Sequence, residues 1–323
     1  MSQAREPIVT HVFTADPSAH VFDGRLYVYP SHDLPHDGKN SEEGGQYIME
    51  DYHVFSMTRP GEDVMDHGEA LHVRDVPWAE RMMWAPDAAC KNGKYYLYFP
   101  AKDADGIFRI GVAVSDSPTG PFTPDAAPIP ESCSIDPAVF TDDDGRSYLY
   151  FGGIWGGQLD RWVDGVYDPS RKTPVGDEIA VTPLFAELSD DMHSFRAAPV
   201  HVVIQDENGE PIRVCDEERR FFEGSWMNKI GDTYYLSYST GTTHYVAYAT
   251  SDKPQGPFTY RGIILKPVVG WTTQHSIVEF EGKWYLFYHD CEFSGGIDHR
   301  RTVKWTELTI HEDGSIETLD VRH

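Results

Sequence analysis

One pattern of apolar and polar positions occurs five times along the chain. A polar or acidic cluster leads into a short alternating segment, then a tight turn, then an aromatic run. The copies are ADPSAHVFDGRLYVYPSHD from Ala15, APDAACKNGKYYLYFPA from Ala85, SIDPAVFTDDDGRSYLYFGG from Ser134, FEGSWMNKIGDTYYLSYS from Phe222 and QHSIVEFEGKWYLFYHD from Gln274. Alternation broken by Asp-Gly, Asn-Gly, Gly-Asp or Glu-Gly and resumed in Tyr, Trp, Val and Leu predicts a β-hairpin in each copy. In the third copy Asp142, Asp143 and Asp144 lengthen the turn before Gly145, as at an exposed loop tip. A lone hairpin cannot bury its apolar face, so five comparable units must pack against one another. Radial packing of small antiparallel sheets meets that need and leaves loops of variable length at the ends.

A second phrase follows two of the hairpins: GVAVSDSPTGPFT from Gly111 and VAYATSDKPQGPFTY from Val246. Both read as outer strands running into a proline-flanked turn, where the ladder loses a donor. The units recur at roughly 50 to 90 residues, more than a minimal sheet needs, so long loops are expected over 33–83 and 154–198. No long segment has a helical period. Near the end, RTVKWTELTIHEDGSIETLDV reads as a further hairpin that completes a blade or closes the ring. The expectation is an all-β fold, a five-bladed β-propeller forming a single domain over 1–323, with a sandwich or mixed β architecture as the alternative.

Charge and targeting signals narrow the setting. Asp and Glu number 52 against 27 Lys and Arg, a formal charge of -25. Such a surface repels nucleic acid and anionic membranes, so neither is expected as a partner. The opening MSQAREPIVTHVF has no apolar stretch of the kind a secretory signal carries, and no apolar run approaches a membrane span. A cytoplasmic location is the corresponding expectation. Cys90, Cys133, Cys215 and Cys291 lie far apart and form no metal or disulfide pattern.

The repeat also says where chemistry belongs. Asp16, Asp87, Asp136, Glu223 and His275 stand at equivalent positions, just ahead of the five predicted inner strands. A radial fold would bring such positions together near its axis. Any one Asp before Pro is explained as well by turn capping. Glu223 is different, because Phe221, Phe222 and Trp226 surround it in sequence, and apolar surroundings push a carboxyl toward its neutral acid form. A general acid needs that property.

Taken together and in order, ADPSAHVFDGRLYVY, SIDPAVFTDDDGRSYLYFG and EGSWMNKIGDTYYLSYS closely resemble blades of glycoside hydrolase family 43, five-bladed propellers that include β-xylosidases, α-L-arabinofuranosidases and arabinanases. The resemblance implies Asp16 as general base, Glu223 as general acid, and Asp136 as the residue that orients the acid and raises its pKa. It implies an inverting mechanism, with water attacking the face opposite the departing oxygen. It implies that His275 lies near the axis and contacts a hydrated metal ion, commonly calcium, mainly through water; a purely structural histidine is the competing reading. No organic cofactor is expected. Trp84, Trp155 and Trp226 are candidate sugar-stacking residues, Arg196 a candidate pocket residue, and Arg300 the arginine expected to reach the sugar hydroxyls, with Arg301 its competitor because adjacent strand residues face opposite ways. The substrate class implied is a short pentose-containing oligosaccharide, with release of xylose favoured and α-L-arabinofuranosidase or exo-arabinanase action as alternatives. A non-catalytic carbohydrate-binding propeller is the reading from a different class, since fold alone does not select catalysis.

Overall fold

The computed structural model describes residues 6–36, 41 and 43–322. Five sheets, antiparallel except at one edge, are assembled from the repeated hairpins. The first holds β1 (Thr14–Phe22), β2 (Arg25–His32), β3 (Asp51–Met57) and β4 (Met65–His72) in that order, and the second β5 (Asp87–Lys91), β6 (Lys94–Lys102), β7 (Phe108–Ser115) and β8 (Thr123–Pro124). In the third, β9 (Ala138–Thr141) and β10 (Ser147–Phe151) pair directly. A small hairpin of β11 (Trp162–Val163) and β12 (Val166–Tyr167) then intervenes before β13 (Leu184–Glu187) and β14 (Val200–His201) complete the blade.

The fourth blade runs from β16 (Glu223–Ile230) through β17 (Thr233–Ser239) and β18 (Val246–Ser251) to β19 (Phe258–Leu265). Its outer edge is β15 (Ile204–Gln205), which pairs parallel to β19. The fifth comprises β20 (His275–Phe280), β21 (Lys283–Asp290) and β22 (Thr302–Leu308). The first strands of the five sheets neighbour one another in a closed cycle: β1 beside β5, β5 beside β9, β9 beside β16, β16 beside β20, and β20 beside β1. The molecule is a five-bladed β-propeller, and these strands surround its axis.

The second strand of each hairpin explains the aromatic run. Tyr29, Tyr98, Tyr150, Tyr238 and Tyr288 are buried at matching positions, each in a blade's second strand. A buried phenol needs an acceptor, because leaving it unpaired costs about 1–3 kcal/mol. Three of these tyrosines find one in the next blade: Tyr29 donates to the Pro118 carbonyl at 2.6 Å, Tyr98 to Met192 at 2.8 Å and Tyr150 to Pro254 at 2.5 Å. The repeated sequence thus builds the blades and also joins one to the next.

Two expectations about the connections change. The 33–83 stretch is not a loop, since β3 and β4 lie in it and complete the first blade. The 154–198 stretch likewise contains the β11–β12 hairpin and β13. At the chain's end, Thr302–Leu308 is the third strand of the fifth blade, while Leu319 bridges to Leu265 on the fourth. The N-terminal segment runs along β22, with Ile8 N–H donating to Val303 O and Thr14 N–H to Arg301 O, both at 2.9 Å.

Candidate active site

Three of the five equivalent positions meet in one pocket at an end of the axis, lined by Asp16, Asp136 and Glu223. Local backbone geometry aims them there. Asp16 and Asp136 have φ of 50° and 55°, left-handed values that Asp tolerates better than most residues. A bulge between Ala15 and Ser18 breaks the β1 ladder around Asp16, and a matching one between Glu223 and Trp226 breaks β16. Gly224, at φ 66°, turns its N–H onto Asp136 Oδ2 at 3.0 Å. Backbone in such conformations costs about 1–3 kcal/mol per residue, and it collects where side chains must be aimed.

The carboxyls have unlike surroundings. Asp16 accepts from Ser31 Oγ at 2.6 Å and from Arg301 NH1 at 3.1 Å, while its backbone N–H donates to His289 Nδ1 at 3.0 Å. Burial keeps His289 neutral, pushing its pKa down to about 3, with the Arg301 charge adding to the effect. Glu223 faces the pocket without such a guanidinium contact, and burial first, then the charge of Asp16, push its pKa up to about 8. Asp136 is also pushed well above its ordinary value, by burial and then by Glu223 and Asp16. Two buried acids that repel each other hold a proton between them at neutral pH. The Gly224 N–H favours the charged form of Asp136 and offsets part of that rise.

Arg301 ties the site together. Its Nε and NH2 donate to the two oxygens of Asp33 at 2.9 and 2.8 Å, NH1 reaches Thr272 Oγ1 at 3.0 Å as well as Asp16, and the guanidinium lies 4.7 Å from the Tyr47 ring centre. The bidentate pairing fixes its plane, which a lysine could not reproduce. This corrects the expectation for Arg300. Arg300 does not line the pocket, and Arg301 does.

Other predicted residues divide between the pocket and elsewhere. Trp84 and Trp155 line it; Trp84 Nε1 donates to the Tyr47 carbonyl at 3.0 Å, and Trp155 stacks on Trp271 with centroids 6.2 Å apart. Gly44 covers Trp84 so closely that a Cβ there would sit 2.5 Å from the indole. Trp226 is not in this pocket. The three residues from Glu223, which span the bulge of β16, carry it toward the opposite end of the axis, where its Nε1 donates to Ile277 O at 2.9 Å and its ring packs on His20 at 5.3 Å. Arg196 is also elsewhere, exposed and paired with Glu187 at 3.2 Å and Asp190 at 2.6 Å. Asp87, fully buried, spends its carboxylate on His20 Nε2 and Val139 N–H, both at 2.6 Å, and does not line the pocket.

His275 is buried at the start of β20. Its Nε2 is 2.6 Å from Ser237 Oγ, its Nδ1 has no partner among the described residues, and burial lowers its pKa to about 3, leaving a neutral ring. Sequence reasoning passed over Trp271, Thr272, Gln274 and Tyr47, which complete the wall, and His289 beneath Asp16. Trp271, Thr272 and Gln274 immediately precede or open the fifth phrase, and His289 closes it. Their signal was proximity to the repeat itself.

A proton-bearing carboxyl and an arginine-held carboxylate inside a tryptophan-walled pocket on a propeller axis define a carbohydrate-cleaving hydrolase. Residues 59–316 match the family described as glycosyl hydrolases family 43, and the chain belongs to it. It is a glycoside hydrolase. It is 56% identical over 321 residues to the xylosidase/arabinosidase 43A of Humicola insolens, covering 97% of this chain and 98% of that one. A xylosidase/arabinosidase of Bacteroides ovatus is 53% identical over 99% of both chains. Among solved structures, a β-xylosidase/α-arabinofuranosidase from a compost microbial metagenome, in complex with xylotriose and calcium-free, superposes with a TM-score of 0.96 at 58% identity, covering 99% of this chain and 98% of that one.

Proposed function

We propose that this protein is an inverting exo-acting β-xylosidase that releases xylose from short xylo-oligosaccharides, with α-L-arabinofuranoside cleavage as a second activity of the same pocket. The observation that carries the reading is the contrast between Glu223, whose proton is retained by burial and by the charge of Asp16, and Asp16, held as a carboxylate against Arg301. The names of the relatives support the choice of sugar, as does the xylotriose complex of the metagenomic enzyme.

Glu223 gives its proton to the glycosidic oxygen as the bond from that oxygen to the anomeric carbon breaks. Asp16 takes a proton from a water that attacks the carbon from the opposite face, so the new hydroxyl has the inverted configuration. Asp136 orients the acid through the Gly224 backbone and exchanges no proton with the substrate. Trp84 and Trp155 wall the terminal sugar, and Arg301 both fixes Asp16 and has one N–H left for a sugar hydroxyl.

For a metal ion, His275 offers one unpartnered, neutral ring nitrogen. Calcium prefers oxygen to an imidazole nitrogen, so this ring fits such an ion mainly as a contact to its water shell. His275 would hold the ion, whose positive charge would favour ionised carboxyls nearby.

The test compares 4-nitrophenyl β-D-xylopyranoside with 4-nitrophenyl α-L-arabinofuranoside, and follows xylobiose hydrolysis by proton NMR. A preference for the xyloside with α-xylose as first product is expected. Preference for the arabinoside would reverse the order of the two activities, and β-xylose as first product would overturn the inverting roles of Asp16 and Glu223.

A further inference from the structure

The first blade contains a second cluster of ligand-type side chains, built on β2 and β3 and separate from the carboxyls of the pocket. His32, at the end of β2, and Asp51 and His53, at the start of β3, each present one ligand atom, and the three atoms lie within 4.8 Å of one another. His32 Nδ1 is 2.8 Å from Asp51 Oδ1, and His53 Nε2 is 3.5 Å from Asp51 Oδ2. A tetrahedral zinc ion with bonds of about 2.0–2.1 Å separates its ligands by about 3.4 Å. The side chains therefore need only small rotations to surround one.

The other nitrogen of His53 supplies the argument from orientation. Nδ1 faces the carboxylate of Asp66 at 2.9 and 3.2 Å, and Asp66 is itself fixed by the Gly68 N–H at 2.8 Å and His11 Nε2 at 2.7 Å. A metal-binding imidazole characteristically donates its second N–H to a carboxylate, which fixes the tautomer and points the free lone pair at the metal. Here that fixed lone pair is the one aimed at Asp51. The side chains of His32, Asp51 and His53 are 16%, 10% and 16% exposed, so an ion and a completing water have a path in.

We propose that His32, Asp51 and His53 form a binding site for a divalent first-row transition ion, with Asp66 as the residue that positions His53. Two imidazoles and one carboxylate select a zinc-like ion over calcium, which prefers oxygen throughout. Bound there, the ion clips β2 to β3. It sits beside Asp33, the anchor of Arg301, because His32 is the residue before it.

Full-length protein stripped with a chelator and titrated with zinc chloride in a calorimeter tests the site. The expected result is one zinc per chain in this cluster, retained by His275→Ala, weakened at least 100-fold by His53→Gln or His32→Gln, and weakened about 10- to 100-fold by Asp66→Asn. Cobalt(II) added to the unaltered protein provides a readout independent of any variant's folding, with visible absorption bands of a four- or five-coordinate nitrogen-ligated ion that zinc displaces. Zinc affinity unchanged in both histidine variants, or cobalt spectra of the six-coordinate aqua ion alone, would overturn the proposal.

Discussion

The two ends of the propeller axis are made from the same strands and are put to different uses. β1 presents Asp16 at the pocket end and His20 toward the other; β16 presents Glu223 and then Trp226. At the pocket end the ladders are bulged, two aspartates have left-handed backbone, and a carboxyl retains a proton against its ordinary tendency. Toward the far end His20 Nε2 pairs with the Asp87 carboxylate, and Trp226 Nε1 donates to the Ile277 carbonyl. Unlike chemistry comes from where a regular ladder is interrupted, since the strands themselves are shared.

Substitutions at the two ends should therefore separate chemistry from stability. Glu223→Gln has the largest expected effect, lowering kcat about 10²- to 10⁴-fold with little change in melting temperature, as read by paired kinetics and calorimetry. A comparable loss of kcat from a far-end change would erase the contrast. Arg301→Ala comes next: removing the guanidinium leaves Asp33 and Asp16 buried without their partner, at a cost of about 3–5 kcal/mol in unfolding free energy, together with reduced kcat/KM. Arg301→Lys should rescue little of either, because the fork to Asp33 is lost.

The pH profile sharpens the distinction further. Glu223 works as an acid only while protonated, so with its pKa raised to about 8 the rate should hold through neutrality and fall about tenfold per pH unit above that value. A descending limb in the ordinary carboxylate range would assign the proton elsewhere. The smallest effect belongs to the far end. Trp226→Phe forfeits the bond to Ile277 O and should lower stability by about 1 kcal/mol in chemical denaturation while leaving KM unaltered; Arg196→Ala, on an exposed ion pair, should change neither by a measurable amount.

The sequence made the inner hairpins legible because each carried a complete alternation on both sides of its turn. The convergence of Asp16, Asp136 and Glu223 followed from their equivalent places in the repeat. Outer strands were harder to read. β3 and β4 pair His53 with Glu69 and Phe55 with Asp66 where apolar pairs would have announced a sheet, so the region resembled a polar loop. Bulges hid the rest. Once a ladder shifts register, alternation no longer says which face a residue takes, and Trp226 on β16 was read to the wrong end for that reason. Arg300 and Arg301 stand just ahead of β22, where the tie-breaker was Asp33, a partner 268 residues away.

The stitch between Thr14 N–H and Arg301 O has a temporal consequence. Asp16 leaves the ribosome 285 residues ahead of the guanidinium that grips it. A nascent chain with four blades already made still has this carboxylate without its clamp. Hydrolytic competence thus arrives only when the circle of blades has closed, and turnover becomes a reporter of completed folding.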